Sequence, residues 1–268
     1  MQQTKTAPHN NINEFDARRT SAPKKFIWPY LAILRPLHWS KNILVLVGVF
    51  AAVFQLRGTN ILWPVWQVVN GFIAACLLAS SNYVINEILD AHSDRHHPIK
   101  YQREFASGNA SILIGYLEWI VLILVGIWMS WRIGHSFLIV TFCFLTINLL
   151  YNIPPVRLKD RAYIDTLCEG ANSPIRILMG WLIVLPNSFP SIFLLLAFWM
   201  AGGAAMTFKR IREYRIFASQ FQAGEYRRSF INYTPRTLHR LWMFYCLSSV
   251  LLFVLLSLVR LSHFLKSI

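Results

Sequence analysis

Asn86-Glu87-Ile88-Leu89-Asp90-Ala91-His92-Ser93-Asp94-Arg95 closes the second long apolar run of the chain. If this stretch is helical, Asn86, Asp90 and Asp94 recur every four residues and share one face, with Glu87 at its edge. Adjacent carboxylates on such a face lie ~6 Å apart at 1.5 Å rise per residue. Alone they repel. Together they suit a hard divalent cation, above all magnesium, which bridges carboxylates to a substrate phosphate. In so apolar a chain a cluster of this kind marks function.

The surrounding sequence is that of a polytopic membrane protein. The 268 residues are 55% hydrophobic and 14% charged, and the mean hydropathy is +0.43. Apolar runs flanked by Trp and Tyr predict an all-α helical bundle with about seven transmembrane spans around a central polar cavity. The expected spans are 39–56, 63–86, 111–131, 134–152, 163–185, 190–208 and 238–259, punctuated by Pro154, Pro155, Pro186 and Pro190. Residues 1–30 are polar and lack an apolar core, which predicts a flexible cytosolic tail rather than a signal peptide, followed by one membrane domain over 31–268. Cys76, Cys143, Cys168 and Cys246 sit in apolar segments without a C-x-x-C pair, so they read as small apolar residues rather than disulfide or zinc partners.

With the N-terminus inside, 21 of the 26 Lys and Arg residues fall on the inner side. This asymmetry puts the N-terminus and the Asp90 loop in the cytosol. It also assigns the net charge of +14 to loops facing anionic membrane lipids, not to nucleic acid.

Beyond Pro98, which should end the helix, Lys100 and Arg103 follow the acids in a loop closing at Gly108. Acids that hold a metal beside bases that hold phosphate oxygens make a diphosphate site. Lys159, in the loop after the fourth span, joins them as a candidate. His92 and His96 are spaced for a soft metal, but no third soft ligand is near and oxygen ligands dominate. In the fifth span Asp165, Glu169 and Arg176 form an acid, acid, base stripe expected to face the cavity. Asp165 is the candidate for orienting the acceptor or a second metal. Lys209 and Arg212, at the basic end of the sixth span, are weaker candidates for a second phosphate group. Glu118 is a lone acid in the third span with no assigned role.

These residues resemble the UbiA superfamily of membrane prenyltransferases over roughly 33–260. That family carries N-D-x-x-D-x-x-x-D after its second helix. Asn86, Glu87, Asp90 and Asp94 fill those places, with Glu for the first Asp. Asp94-Arg95 and Arg103 to Gly108 are similar to its D-R and R-P-x-x-x-G, with Glu104 in place of Pro. The loop from Tyr151 to Lys159, and then Asp165 and Arg176, is also similar. Where the family has a second acidic motif, D-x-x-x-D, this chain has Lys209-Arg210-Ile211-Arg212-Glu213. That departure, and Arg35-Pro36-Leu37-His38-Trp39-Ser40-Lys41-Asn42, resemble the branch containing decaprenyl-phosphate phosphoribosyltransferase.

The resemblance implies a transferase with Asn86, Glu87, Asp90 and Asp94 on magnesium. It implies an isoprenoid lipid substrate, a diphosphate donor and a bacterial inner (plasma) membrane. Prenyl transfer from a polyprenyl diphosphate leads. Phosphoribosyl transfer to a polyprenyl phosphate is the alternative, and a transporter or lipid-binding scaffold the second. The family fold has nine helices. Seven imply a shortened C-terminal part, or self-association that closes the cavity.

Overall fold

The computed structural model describes residues 27–56, 65–95, 99–217 and 219–266. Among them every regular element is helical. A short helix α1 (Trp28–Ile33) leads through a 3-10 stretch, Pro36–Asn42, into α2 (Ile43–Leu56). Then come α3 (Val65–Asp94), α4 (Ile112–Ile133), α5 (His135–Asn152), α6 (Ile164–Gly170), α7 (Asn172–Val184) and α8 (Ile192–Tyr214). The short α9 (Gln220–Tyr226) and a 3-10 turn, Arg228–Asn232, precede the long α10 (Pro235–Lys266).

Among the described residues six segments are long and apolar enough to cross a membrane: Trp28–Leu56, Val65–Asp94, Ile112–Ile133, His135–Asn152, Ile192–Tyr214 and Pro235–Ser262. The protein is an integral membrane protein. The expected span at 163–185 is instead the pair α6 and α7, broken at Ala171. Pro174 is the cause: it has no N–H for the carbonyl of Gly170, four residues back, and its ring crowds that carbonyl. The carbonyls around the break find other donors, as lipid-embedded backbone must. Leu167 O accepts from Trp199 Nε1 at 2.9 Å in addition to the Ala171 amide at 3.1 Å, and Glu169 O accepts from Asn172 Nδ2 at 3.1 Å.

Helix α3 is the spine. Its thirty residues span about 45 Å at 1.5 Å each, more than the ~30 Å hydrocarbon core of a bilayer. Its final turns therefore leave the apolar slab, and these carry Asn86 to Asp94. The main core packs Ala74, Ala75, Leu78 and Ala79 of α3 against Val45, Val49, Phe137, Phe144, Met179 and Trp181 of α2, α5 and α7. Phe105 of the loop after α3 seals a second core with Ile33, Val84, Ile88 and Leu122. At the Asp90 end, Phe230, Tyr233, Leu238 and Ile211 form a third core beneath α9. Leu113, Leu117, Val121 and Leu124 of α4, and Leu247, Val250, Leu251 and Leu258 of α10, are exposed, as lipid-facing surfaces are.

Helices α2 and α7 cross at glycine. A Cβ on Gly180 would strike Val45 O, and one on Gly48 would strike Ile177 O, both backbone atoms that cannot rotate away. Small residues let membrane helices approach this closely. Gly180→Ala should cost about 1–3 kcal/mol or more, the usual range for overpacking. Gly126→Ala, whose Cβ would first meet side-chain carbons of Leu78, which can shift where backbone cannot, should cost less. Thermal unfolding in detergent would rank the two.

Candidate active site

A cavity of about 670 Å³ opens between α2, α3, α5, α7 and α8. Along α3 it is lined by Ala79, Asn82, Tyr83, Asn86 and Asp90. Nine basic side chains contribute to its wall: Arg35, Lys41, Lys100, Arg103, Lys159, Arg176, Lys209, Arg210 and Arg227. Among the described residues the acids in its wall are Asp90, Glu169 and Glu213.

The acidic ladder does not stay on one face. Each four-residue step turns a helix by about 40°, so the ladder drifts from Asn86 to Asp94. Asn86 and Asp90 line the cavity. Asp94 lines a second, polar vestibule of about 670 Å³ with Arg157, Asp160, Arg161, Glu225 and Arg228. Asp94 Oδ2 accepts from Arg103 Nη1 at 2.6 Å. Glu87 corrects the expectation further. It lies about 100° round the helix from Asn86 and is absent from the lining of both spaces. Buried, it accepts from Arg35 Nη2 at 3.1 Å and from the Glu104 amide at 3.0 Å. It therefore fastens the loop after α3 rather than joining Asp90. Asp90, Lys100, Lys159, Tyr226 and Arg227 line both spaces and form the partition between them.

Lys159 Nζ donates to Asn86 Oδ1, Asp90 Oδ1 and Asp90 Oδ2, each at 2.8 Å. Arg157 Nη2 reaches Asp90 Oδ1 at 2.8 Å. Three oxygens thus converge on one ammonium, which stands where a hard cation would be held. This fits a magnesium ion bound by one carboxylate and one amide, with other positions left to substrate and water. Among the described residues no three His, Cys, Asp or Glu gather for a metal, so a cage of three carboxylates is not formed. His96 lies outside the described residues.

Arg35 and Arg157, the arginines that reach Glu87 and Asp90, both have left-handed backbones, with φ of 51° and 35°. Non-glycine residues hold that conformation only when surrounding contacts impose it.

Asp165 was expected at the cavity and is elsewhere. It is 0% exposed and is not part of the cavity lining. Its Oδ2 accepts from Arg210 Nε at 3.0 Å and Arg227 Nη2 at 3.3 Å, and its Oδ1 from Tyr233 Oη at 2.7 Å. Arg210, itself 1% exposed, also donates to Glu169 Oε2 at 2.8 Å and Glu213 Oε2 at 3.0 Å. Asp165 therefore positions Arg210 and Arg227, which face the cavity. The expected stripe along one helix is divided: Glu169 pairs with Arg210, while Arg176 donates to Asn42 Oδ1 at 2.6 Å and Asn172 O at 2.8 Å. On α8, Lys209 and Glu213 line the cavity. Arg212 is exposed and does not, because it lies two residues, about 200°, from Arg210. Glu118 keeps one buried oxygen, Oε2, without a hydrogen-bond partner.

Sequence reasoning did not single out Arg227 or Tyr151. Tyr151 Oη joins Arg227, at 2.9 Å, to Glu169 Oε2, at 3.1 Å.

The fold and site define a membrane-embedded helical protein with a basic cavity beside a paired acidic ladder. The chain belongs to the UbiA prenyltransferase family, whose model matches residues 42–266. It is 34% identical over 164 residues to the uncharacterized protein y4nM of Sinorhizobium fredii, covering 60% of this chain and 30% of that one. The chain thus spans under a third of that relative. It is 28% identical over 223 residues to the decaprenyl-phosphate phosphoribosyltransferase of Mycolicibacterium smegmatis, covering 82% of this chain and 67% of that one. The fold matches a UbiA homologue from Archaeoglobus fulgidus, solved bound to DMAPP and Mg2+, with a TM-score of 0.71. That match has 18% identity and covers 86% of this chain and 78% of the other.

Two expectations follow. Arg210→Gln leaves Asp165 buried with a lost partner and should cost about 3–5 kcal/mol, read as loss of folded protein in detergent, whereas Arg212→Gln should change little. Lys100, 4.4 Å from the Tyr226 ring centroid, has its ammonium pushed down to about 8 by burial. It is charged below that pH and neutral above, and a bound polyanion favours the charged form. Pyrophosphate affinity should therefore fall as the pH rises through about 8. Lys100→Arg, which stays charged, should flatten the fall in a titration from pH 7 to 9, roughly one unit either side.

Proposed function

We propose that this UbiA-family protein is a magnesium-dependent membrane transferase. It moves a phosphoribosyl group from phosphoribosyl diphosphate to a polyprenyl phosphate. The observation that carries this reading is the charge of the cavity, nine bases against three acids, with Lys209 and Arg210 where the family's second acidic motif would lie. A site for two phosphorylated substrates needs such an excess of cations. The polar vestibule against Asp90 supports a water-soluble donor, since Asp94, Arg157, Asp160 and Arg161 would be poor company for a prenyl chain. The phosphoribosyltransferase relatives point the same way. The positive-inside asymmetry supports placing the vestibule in the cytosol.

On this reading Asp90 and Asn86 would hold magnesium, which neutralises charge on the diphosphate. Lys100, Arg103 and Lys159 grip its oxygens, and the helix walls exclude water from the cation-like carbon. An oxygen of the lipid phosphate bonds to the ribose anomeric carbon. The bond from that carbon to the diphosphate oxygen breaks, and its electron pair leaves with pyrophosphate. No proton has to move. Asp165 contributes by holding Arg210 and Arg227 in place.

The second reading, prenyl transfer from a polyprenyl diphosphate, is favoured by the fold shared with the DMAPP-bound homologue. Membranes containing the protein, given magnesium and ribose-labelled phosphoribosyl diphosphate, should label an extractable lipid. Asp90→Asn should lower that labelling by at least about a hundredfold, the scale of losing an electrostatic anchor. Label entering product only from a prenyl diphosphate would transfer the assignment to the second reading, and no labelling from either donor would sink both.

A further inference from the structure

Six of the nine cavity cations are tied to the acids or to groups near them. Three form no ion pair among the described residues: Lys41, Arg176 and Lys209. They come from the 3-10 stretch, α7 and α8, and they all line the cavity. Lys41 lies within electrostatic reach of both others and of Glu169, a single carboxylate already paired with Arg210 at 2.8 Å. Arg176 is buried and hydrogen-bonded only to neutral groups, Asn42, through its side-chain oxygen, and Asn172 O. Three like charges gathered at a membrane-embedded cavity are costly unless an anion completes them.

The position of this pole restricts the anion. Lys41, Ile43, Ala205 and Lys209 line the cavity yet are exposed, which puts a mouth between the start of α2 and α8. Leu44 and Met206 continue an apolar wall inward from the lysines. An anionic head with an apolar tail matches that order of groups. A soluble polyanion does not use the apolar wall, and a neutral acceptor leaves three cations unpaired.

We propose that Lys41, Lys209 and Arg176 seat the phosphate monoester of the lipid acceptor, with its tail leaving between α2 and α8. The pole is distinct from Asp90 and Lys159. The inference rests on the transfer reading for the ligand's role as acceptor, and on the charge geometry alone for its binding.

Binding of farnesyl phosphate to the full chain in detergent tests it, with farnesol, inorganic phosphate and phosphatidic acid as comparisons. The protein should prefer farnesyl phosphate to all three. The pair Lys41→Gln and Lys209→Gln should weaken farnesyl phosphate by about tenfold or more, as expected for two lost charge-assisted contacts. The pair Lys41→Arg and Lys209→Arg should retain most of it, and magnesium-pyrophosphate affinity should stay within about twofold in both pairs. Should the glutamine pair not fold, Lys209→Gln at its exposed position carries the same comparison. Unchanged farnesyl phosphate affinity, equal displacement by phosphatidic acid, or parallel loss of pyrophosphate would each overturn the assignment. The donor reading is judged separately, by whether Asp90→Asn abolishes magnesium-pyrophosphate binding.

Discussion

A carboxylate with no access to water organises the loop end of the molecule. Asp165 ties α6 to α8 through Arg210, to the turn after α9 through Arg227, and to the approach to α10 through Tyr233. A buried charge is tolerable only when its partners satisfy it, so the segments carrying those partners cannot drift apart without leaving it exposed to a low dielectric. Arg210 extends the constraint to Glu169 and Glu213, and Arg227 to Tyr151 and the Lys159 carbonyl. The position of Lys159, and with it the state of Asp90, thus depends on a residue that never meets the cavity.

The two halves of the site are built on different physics. On the α3 side, acids and bases alternate in close pairs that neutralise one another. On the α2 and α8 side, Glu169 and Glu213 are taken up by Arg210, Lys41 and Lys209 stand outside those pairs, and the surrounding surface turns apolar. One cavity therefore offers a balanced polar end and an unbalanced amphipathic end. This is a reasonable basis for treating unlike substrates differently within a single bundle.

Much of this was readable before any coordinates. Apolar run lengths located six of the seven expected spans, and four-residue spacing put Asn86 and Asp90 together, because both follow from helix geometry alone. The motif from Arg35 to Asn42 also proved informative residue by residue: Arg35 reaches Glu87, Trp39 reaches Ser80, Lys41 faces the cavity and Asn42 orients Arg176. Direction was harder to read. A helical wheel could not tell that Glu87 and Asp94 turn to arginines in other segments, since those arginines are set by tertiary packing. Asp165 looked like a cavity acid because its partners lie 45 to 68 residues away and carry no local pattern. Pro174 did signal the break between α6 and α7, but the unbroken hydropathy of 163–185 masked it.

The triple grip of Lys159 on Asn86 and Asp90, reinforced by Arg157, bears on the order in which ligands arrive. On the proposed reading, a bare metal ion would have to evict two cations, and although Arg157 keeps Asp160 at 2.9 Å, Lys159 would be left without counter-charge in a confined space. A diphosphate arriving with the metal reverses that balance, because Lys159 and Arg157 exchange one set of oxygens for another. The resting pairs then act as a lock that favours the metal–donor complex as a unit over either component alone.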